Sequence, residues 1–352
     1  MKKKVAVAMS GGVDSSLCAA LLQEQGYEVL GITMRLSDDS REMNGVSSAA
    51  TDARRVADFL GIEHVVADFR TLFSDKVVDY FLTEYLTART PNPCVICNRF
   101  LKFGELLSFA KEKGADFLAT GHYVRVEKEE DGSFALKKGR DEKKDQSYVL
   151  YRLPREILSH ILFPLGSYRK EETRALAQKL SLPVANKAES QEICFVPEDD
   201  YKAYLSQHRP NRFHTGDIVD MQGQILGQHR GLPFYTIGQR KGLGIAAAHP
   251  LYVIALDEAN NRVIVGKNEE LYASSLFASD VNWLMEEPTQ EISVHAKIRY
   301  GSREVQANVL PLKDRAVKVS FLEPQRAVTP GQSVVFYSGE RLVGGATIES
   351  RT

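Results

Sequence analysis

The sequence predicts an α/β protein: an N-terminal domain built on a parallel sheet with helices on both faces, a small β-rich central domain and a C-terminal β-barrel. Three observations carry this reading. Up to about residue 200, short apolar runs alternate with segments of helical period, the pattern of strand–helix–strand units. Three of the helical segments stop at Gly26, Gly61 and Gly114, where the left-handed cap residue of a helix is expected. Beyond about residue 210 the period changes to apolar–polar alternation broken by glycine turns. A chain of 352 residues outgrows one small core, and the expected domains are 1–208, 209–270 and 271–352.

In chain order, strands are predicted over 5–9, 27–34, 64–69 and 116–120, and helices over 15–25, 51–60, 72–86, 101–113 and 168–180. Residues 36–46 are polar and aperiodic and read as a mobile loop. Residues 90–98 carry Pro91 and Pro93 and cannot begin as a helix interior. In the central part, turns fall at Gln222-Gly223, at 242–244 and at Asn260-Asn261. In the last part Ile292, Val294, Ala296, Ile298 and Tyr300 share one face of a strand, and Val305, Ala307 and Val309, then Val317 and Val319, repeat the alternation.

Apolar residues make up 43% of the chain and charged residues 26%, an ordinary globular balance, and the formal charge of −1 excludes a uniformly basic nucleic-acid binder but not a local basic face. The apolar run after Met1-Lys2-Lys3-Lys4 ends at Ser10, too short for a secretory leader, and no segment is long and apolar enough to span a bilayer. A cytoplasmic protein with no membrane partner is expected. There the four cysteines would be reduced, catalytic or metal-bound rather than disulfide-linked. Cys18, flanked by Leu17, Ala19 and Leu21, reads as a core residue.

The chemistry begins at Met9-Ser10-Gly11-Gly12-Val13-Asp14-Ser15-Ser16, between the first strand and the first helix. Two glycines let backbone approach a ligand, and the unpaired N–H groups of a helix start attract an anion. A Walker-type loop would carry Lys after its second Gly, and none is present. Ser-Gly-Gly-Val-Asp-Ser instead resembles the pyrophosphate loop of the ATP pyrophosphatases, which cleave ATP between its α and β phosphates to adenylate a substrate. In an open sheet, residues 10–15, Met34 and Gly121-His122 would all lie beyond the carboxyl ends of strands and surround one nucleotide.

Cys94-x-x-Cys97 and Cys194 are soft ligands suited to metal, iron–sulfur or redox chemistry. Three thiolates leave a zinc site one ligand short, which His122 would have to supply, but they could hold three irons of a 4Fe-4S cluster. Residues 144–147 sit in a charged run whose default is a solvated face. Gln239-Arg240-Lys241-Gly242 and Arg299-Tyr300 pair cations with glycine or an aromatic ring, as RNA-binding surfaces do.

Together the motifs resemble the bacterial tRNA-specific 2-thiouridylases: Met9 to Ser15, Thr90-Pro91-Asn92-Pro93 with Cys97-Asn98, Ala119-Thr120-Gly121-His122-Tyr123, Lys144-Asp145-Gln146-Ser147-Tyr148, Ile193-Cys194-Phe195, the 238–244 glycine motif, Arg299-Tyr300, and Thr329-Pro330-Gly331-Gln332 before Phe336-Tyr337. The resemblance runs through the whole chain. It implies ATP-dependent thiolation at C2 of the wobble uridine, U34, in tRNAs of the Lys, Glu and Gln type. It also implies ATP binding by Ala8, Met9, Ser10, Gly11, Gly12, Val13, Asp14, Ser15, Met34 and Gly121, with Mg²⁺ on the phosphates. Asn92, Pro93 and Cys94 would face the target base, and His122, Lys144, Asp145, Gln146, Arg299, Tyr300 and Gln332 would contact tRNA. Cys97 and Cys194 match the reactive cysteines. Sulfur would come from a donor protein or inorganic sulfide.

The chain departs from the family where many members have Asp in Asn-Pro-Asp-x-x-Cys, since it has Cys94. A thiol replaces a carboxylate poorly as acid or base, its free pKa being near 8.5 rather than about 4. Two sulfur routes follow. One is a Cys194 persulfide resolved by Cys97. In the other, which the presence of Cys94 favours, Cys94, Cys97 and Cys194 hold the cluster. The competing readings are a small-metabolite ligase or amidotransferase sharing the ATP loop, and a non-enzymatic RNA-binding iron–sulfur protein.

Overall fold

A computed structural model describes residues 2–37, 48–188 and 193–352. The loop expected over 36–46 lies, from residue 38 on, outside the described residues. By internal contacts the chain forms two units: Met1–Val77, Cys94–Gln191 and Gly339–Val343 in the first, and Val78–Pro93, Glu192–Ser338 and Gly344–Thr352 in the second.

The first unit is a five-stranded, all-parallel sheet. In chain order it runs β1 (Lys4–Ala8), α1 (Val13–Glu24), β2 (Glu28–Arg35), α2 (Ser48–Leu60), β3 (Glu63–Asp68), α3 (Arg70–Phe73), then, in the second unit, α4 (Asp79–Leu86), and back in the first α5 (Pro93–Ile96), α6 (Leu106–Glu112), β4 (Phe117–Ala119), the hairpin β5 (Val124–Lys128) and β6 (Phe134–Lys138), β7 (Ile161–Leu162) and α7 (Lys170–Lys179). The strand order β3-β2-β1-β4-β7 reverses direction between β1 and β4. That switch point opens a crevice at the carboxyl ends of these two strands, where residues 10–12 and 120–122 emerge.

The reasons are local. Val5, Ala6 and Val7 have no exposure, as a strand covered on both faces must, and Cys18, Ala19 and Leu22 of α1 pack on one side with Val29, Ala53 and Val56. Leu17, Ala20 and Leu21 turn to a second cluster with Leu165 and Ala177. α1 is therefore apolar almost all round, which is why its periodicity is weak. Burial pushes the Cys18 thiol far up, and it is an inert core group. Gly26, Gly61 and Gly114 all have positive φ, as the helix stops required.

Two expected helices differ in form. The segment predicted over 72–86 is α3, a π-helical stretch Ser74–Val78 and α4, and the segment predicted over 101–113 begins as a π-helix, Cys97–Glu105, before α6. An extra residue per turn leaves no mark on hydrophobic pattern. The β5–β6 hairpin was not expected from the sequence pattern; its polar residues Arg125, Glu127 and Lys137 pair among themselves.

In the second unit, after α8 (Tyr201–His208), β8 (Gly216–Val219), β9 (Ile225–His229), β10 (Tyr252–Asp257) and β11 (Arg262–Gly266) form a four-stranded sheet over a core of Ile218, Leu232, Tyr235, Val253, Val263 and Val265. The last six strands, β12 (Tyr272–Trp283), β13 (Ile292–Lys297), β14 (Val305–Pro311), β15 (Val317–Arg326), β16 (Ser333–Ser338) and β17 (Arg341–Arg351), close into a barrel, β12 pairing with both β15 and β17. Closure removes the sheet edges. Val294, Ala296 and Ile298 point inward as the alternation predicted, whereas Tyr300 is 46% exposed because β13 ends at Lys297.

Candidate functional site

The crevice of the first unit is lined by the glycine loop. Gly11 has φ +69°, and an added Cβ would come 2.5 Å from the Ala49 carbonyl oxygen and 3.0 Å from the Asp52 Cβ. Gly12 is extended at the N-cap and no side chain caps α1. The loop is tied internally: the Ser15 hydroxyl accepts the Ser10 N–H at 3.1 Å and donates to the Gly12 carbonyl at 3.2 Å, and Ser16 Oγ donates to that carbonyl at 2.8 Å. Hydroxyl groups thus serve carbonyls and leave the first helical N–H groups turned to the crevice. Gly121 closes on the same turn, since a Cβ there would lie 3.0 Å from the Ser15 nitrogen. Met34 is half-buried at the end of β2, and the neighbouring Thr33 hydroxyl donates to the Met9 carbonyl at 2.7 Å.

Two lysines border this loop, and the sequence pattern did not single them out. Lys170 Nζ donates to both Asp14 carboxylate oxygens, at 2.8 and 2.7 Å, and the Tyr123 hydroxyl donates to Asp14 Oδ1 at 2.8 Å. Lys187 Nζ donates to the Gly11 carbonyl at 3.1 Å and to Asp52 Oδ2 at 2.7 Å. Both lie more than 150 residues along the chain from the loop, Lys170 in a charged run that reads as surface and Lys187 between Asn186 and Ala188.

Pro93 opens α5, a position where its missing N–H costs nothing. Cys94 is exposed and Cys97, the first residue of the π-helix, is buried. Protein packed around the sulfur of Cys94, on a residue whose surface is otherwise exposed, and burial of Cys97 push both thiols above their ordinary range; the Lys102 charge opposes this, and charge on Cys94 adds to the rise at Cys97. Alkylation by iodoacetamide at neutral pH should therefore be slow at Cys97 and faster at Cys94, with both rates climbing about tenfold per pH unit up to about pH 9. Peptide mass spectrometry checks this, and a plateau reached below pH 8 would contradict it. His122 is also buried, its Nδ1 2.7 Å from the Thr120 hydroxyl and its ring against Phe103 and Phe163. Burial, then the Lys102 charge, holds it well below the usual imidazole value, so it is neutral at pH 7. Asn98 donates to the Val149 carbonyl at 3.1 Å, and its buried Oδ1 has no partner.

Of the residues assigned by resemblance to tRNA, several use their polar atoms inside the protein. Asp145 accepts the Gly139 N–H at 2.9 Å and the Ser147 hydroxyl at 2.7 Å, and Gln146 Oε1 accepts the Tyr123 N–H at 3.0 Å. Lys144 beside them is half-buried. In the second unit, Arg299 donates to the Arg326 carbonyl at 3.0 Å, and the exposed Tyr300 ring has Lys297 Nζ 5.7 Å from its centre. Gln332 Nε2 donates to the Thr90 and Pro91 carbonyls, both at 3.1 Å, and Thr90 N–H donates to the Pro330 carbonyl at 2.9 Å. Gln332 thus holds the stretch that leads into half-buried Asn92 and buried Pro93. Arg89, bonded to Glu84 and Glu349, braces it from the other side.

Cys194 is exposed in the second unit, between Ile193 and Phe195, which pack on Phe81, Tyr85 and Leu205. Burial and then the charge of Cys194 push the Tyr204 phenol up. Cys94 and Cys97 belong to the first unit. Among the described residues, no three Cys, His, Asp or Glu side chains are gathered as a metal-holding group, and no helix is long and apolar enough to cross a membrane.

Three family models match in succession: a "tRNA methyl transferase HUP domain" over residues 3–198, a "tRNA methyl transferase PRC-barrel domain" over 202–267 and an "aminomethyltransferase beta-barrel domain" over 273–348. The chain is 52% identical to a tRNA-specific 2-thiouridylase of Caldanaerobacter subterraneus subsp. tengcongensis, over 100% of this chain and 99% of that protein. It is 51% identical to a protein of the same name from Carboxydothermus hydrogenoformans, over 99% and 98%. Among solved structures, a U34-tRNA thiolase of Methanococcus maripaludis is 22% identical over 60% of this chain and 69% of that chain, with a TM-score of 0.36, a likeness too slight to build on.

Proposed function

The chain belongs to the tRNA-specific 2-thiouridylase family, and from that premise we propose that it catalyses ATP-dependent thiolation of tRNA uridine, at C2 of the wobble base U34. The observation that carries the reading is full-length identity of about half to enzymes of that name, on a chain whose glycine loop opens at the switch point of its sheet.

Residues 8–15, with Met34 and Gly121, bind ATP. The N–H groups at the start of α1 take the phosphates, and Lys187 adds positive charge beside them. Both Asp14 oxygens are engaged by Lys170, so Mg²⁺ would arrive on the nucleotide and neutralise developing phosphate charge. The uridine O2 attacks the α-phosphorus and pyrophosphate leaves. This converts a poor leaving oxygen into AMP. The wobble base is single-stranded and cheap to extrude into a pocket. Asn92, Pro93 and Cys94 meet it, while Lys144, Arg299 and Tyr300 bind the RNA and Asp145, Gln146, His122 and Gln332 hold the surfaces it touches.

For sulfur, we place the transfer on Cys194. The terminal sulfur of a Cys194 persulfide, loaded by a donor protein or from sulfide with an oxidant, attacks C2 and AMP departs. The Cys97 thiolate then attacks the Cys194 sulfur, breaking the bond between it and the transferred sulfur. That leaves 2-thiouridine and a Cys97–Cys194 disulfide, which a dithiol reductant resets. A 4Fe-4S cluster on Cys94, Cys97 and Cys194 would instead supply an open iron for sulfide. Both routes need Cys97 of the first unit and Cys194 of the second to meet, and the role of Cys94 separates them.

The test incubates the anaerobically purified chain with ATP, Mg²⁺, unmodified tRNA and a sulfur source. We expect 2-thiouridine by mass spectrometry, one AMP and one pyrophosphate per modified base, and dependence on tRNA. Pyrophosphate release without tRNA, on addition of a small amine or acid, would favour the ligase. RNA binding with no ATP turnover would favour the binding protein. Iron and labile sulfide on the same preparation decide the sulfur route: about four of each per chain would move the transfer to a cluster.

A further inference from the structure

Asp14 places a carboxylate inside a loop that should receive a triphosphate, and the structure answers that conflict with a clamp. Lys170 is buried and the Asp14 side chain is 30% exposed, and the ammonium meets the carboxylate at 2.7 and 2.8 Å, with the Tyr123 hydroxyl as a third partner at 2.8 Å. The Lys170 ammonium also lies 5.6 Å from the centre of the Tyr123 ring. Both clamping residues are fixed at their main chain by one loop: the Lys170 N–H donates to Asp141 Oδ2 at 2.9 Å, and the Tyr123 N–H donates to Gln146 Oε1 at 3.0 Å. A pair that buries its ammonium is a weak device for stability, because desolvation of the lysine offsets much of the attraction.

We propose that Lys170 is a positioning residue of the ATP site, acting through Asp14. With Tyr123 it cancels and immobilises the carboxylate, so that residues 10–15 meet the phosphates with their N–H groups aimed and without an uncompensated negative charge. This rests on the reading that the loop binds ATP. The main-chain anchors at Asp141 and Gln146 make the clamp part of the 139–147 loop rather than of the nucleotide loop itself.

The experiment titrates the full-length chain with MgATP by calorimetry and with tRNA by filter binding, for wild type, Lys170→Met, Lys170→Arg and Tyr123→Phe. Lys170→Met should weaken ATP at least tenfold and tRNA less than twofold, and Lys170→Arg should return ATP affinity to within threefold of wild type. Unchanged ATP affinity in Lys170→Met, or equal losses for ATP and tRNA, overturns the proposal. If Lys170→Met does not fold, Tyr123→Phe decides. It removes one hydroxyl and keeps the ring, and should weaken ATP about threefold with tRNA unchanged; wild-type ATP affinity there overturns the clamp. A wild-type chain that binds no ATP would sink the nucleotide reading itself, a separate outcome.

Discussion

Cys97→Ala and Cys194→Ala are each expected to lower 2-thiouridine formation about a thousandfold or more, while pyrophosphate release in a first turnover stays within about threefold of wild type. The two readouts separate because activation and sulfur transfer use different residues. Adenylation needs the crevice of the first unit, whose loop is shaped by hydrogen bonds of Ser15, Tyr123 and Lys187. Sulfur transfer needs a sulfur nucleophile, and Cys18 cannot supply one because it is wholly buried in the core. Cys94→Ser then discriminates between routes. With transfer on Cys194, serine at 94 should keep thiolation within about tenfold of wild type, since position 94 only lines the base. Loss of thiolation together with loss of iron would assign Cys94 as a ligand. Rapid-quench sampling of pyrophosphate beside mass spectrometry of the tRNA makes the measurement, and near wild-type thiolation in Cys194→Ala would overturn the assignment of the nucleophile.

What the sequence made legible were the features that a local rule encodes. Gly26, Gly61 and Gly114 announced helix ends because only glycine takes positive φ there cheaply, and the alternation at Val294, Ala296 and Ile298 announced a one-sided strand. The turn at 10–15 was legible for the same reason. The lysines that serve it were not. Lys170 and Lys187 return to the loop only after the sheet has folded, and the sequence neighbours of a lysine carry no sign of where its ammonium will end. Lys102, whose charge acts on Cys94, Cys97 and His122, was missed because those residues come together only in the folded chain. Gln332, Asp145 and Gln146 show the opposite case: motif resemblance marked them for RNA, and in the structure each holds main chain. Both tasks can share a residue, since Gln332 spends its amide N–H groups on carbonyls and an amide has an acceptor besides.

Gly11→Ala is expected to weaken MgATP about a hundredfold, and the reason is steric before it is chemical. At φ +69° any side chain adds strain of roughly 1–2 kcal/mol. Here the new methyl would also stand 2.5 Å from the Ala49 carbonyl, a backbone atom on α2 that cannot rotate away. Relief requires the loop or α2 to move, and the two are already joined through Lys187, which bonds the Gly11 carbonyl and Asp52 together. Any displacement therefore travels into the N–H groups that would hold phosphate. Gly26→Ala is the matched control: its φ is +88°, but nothing lies within 4 Å of the added methyl and the site is at the far end of α1. That change should lower stability by about 1 kcal/mol, seen as a modest fall in melting temperature, with ATP affinity intact. A loss of ATP affinity in a Gly11→Ala protein still folded at the assay temperature, with ATP affinity intact in Gly26→Ala, would locate the phosphates at the 10–15 turn. Wild-type ATP affinity in Gly11→Ala would mean that they bind elsewhere.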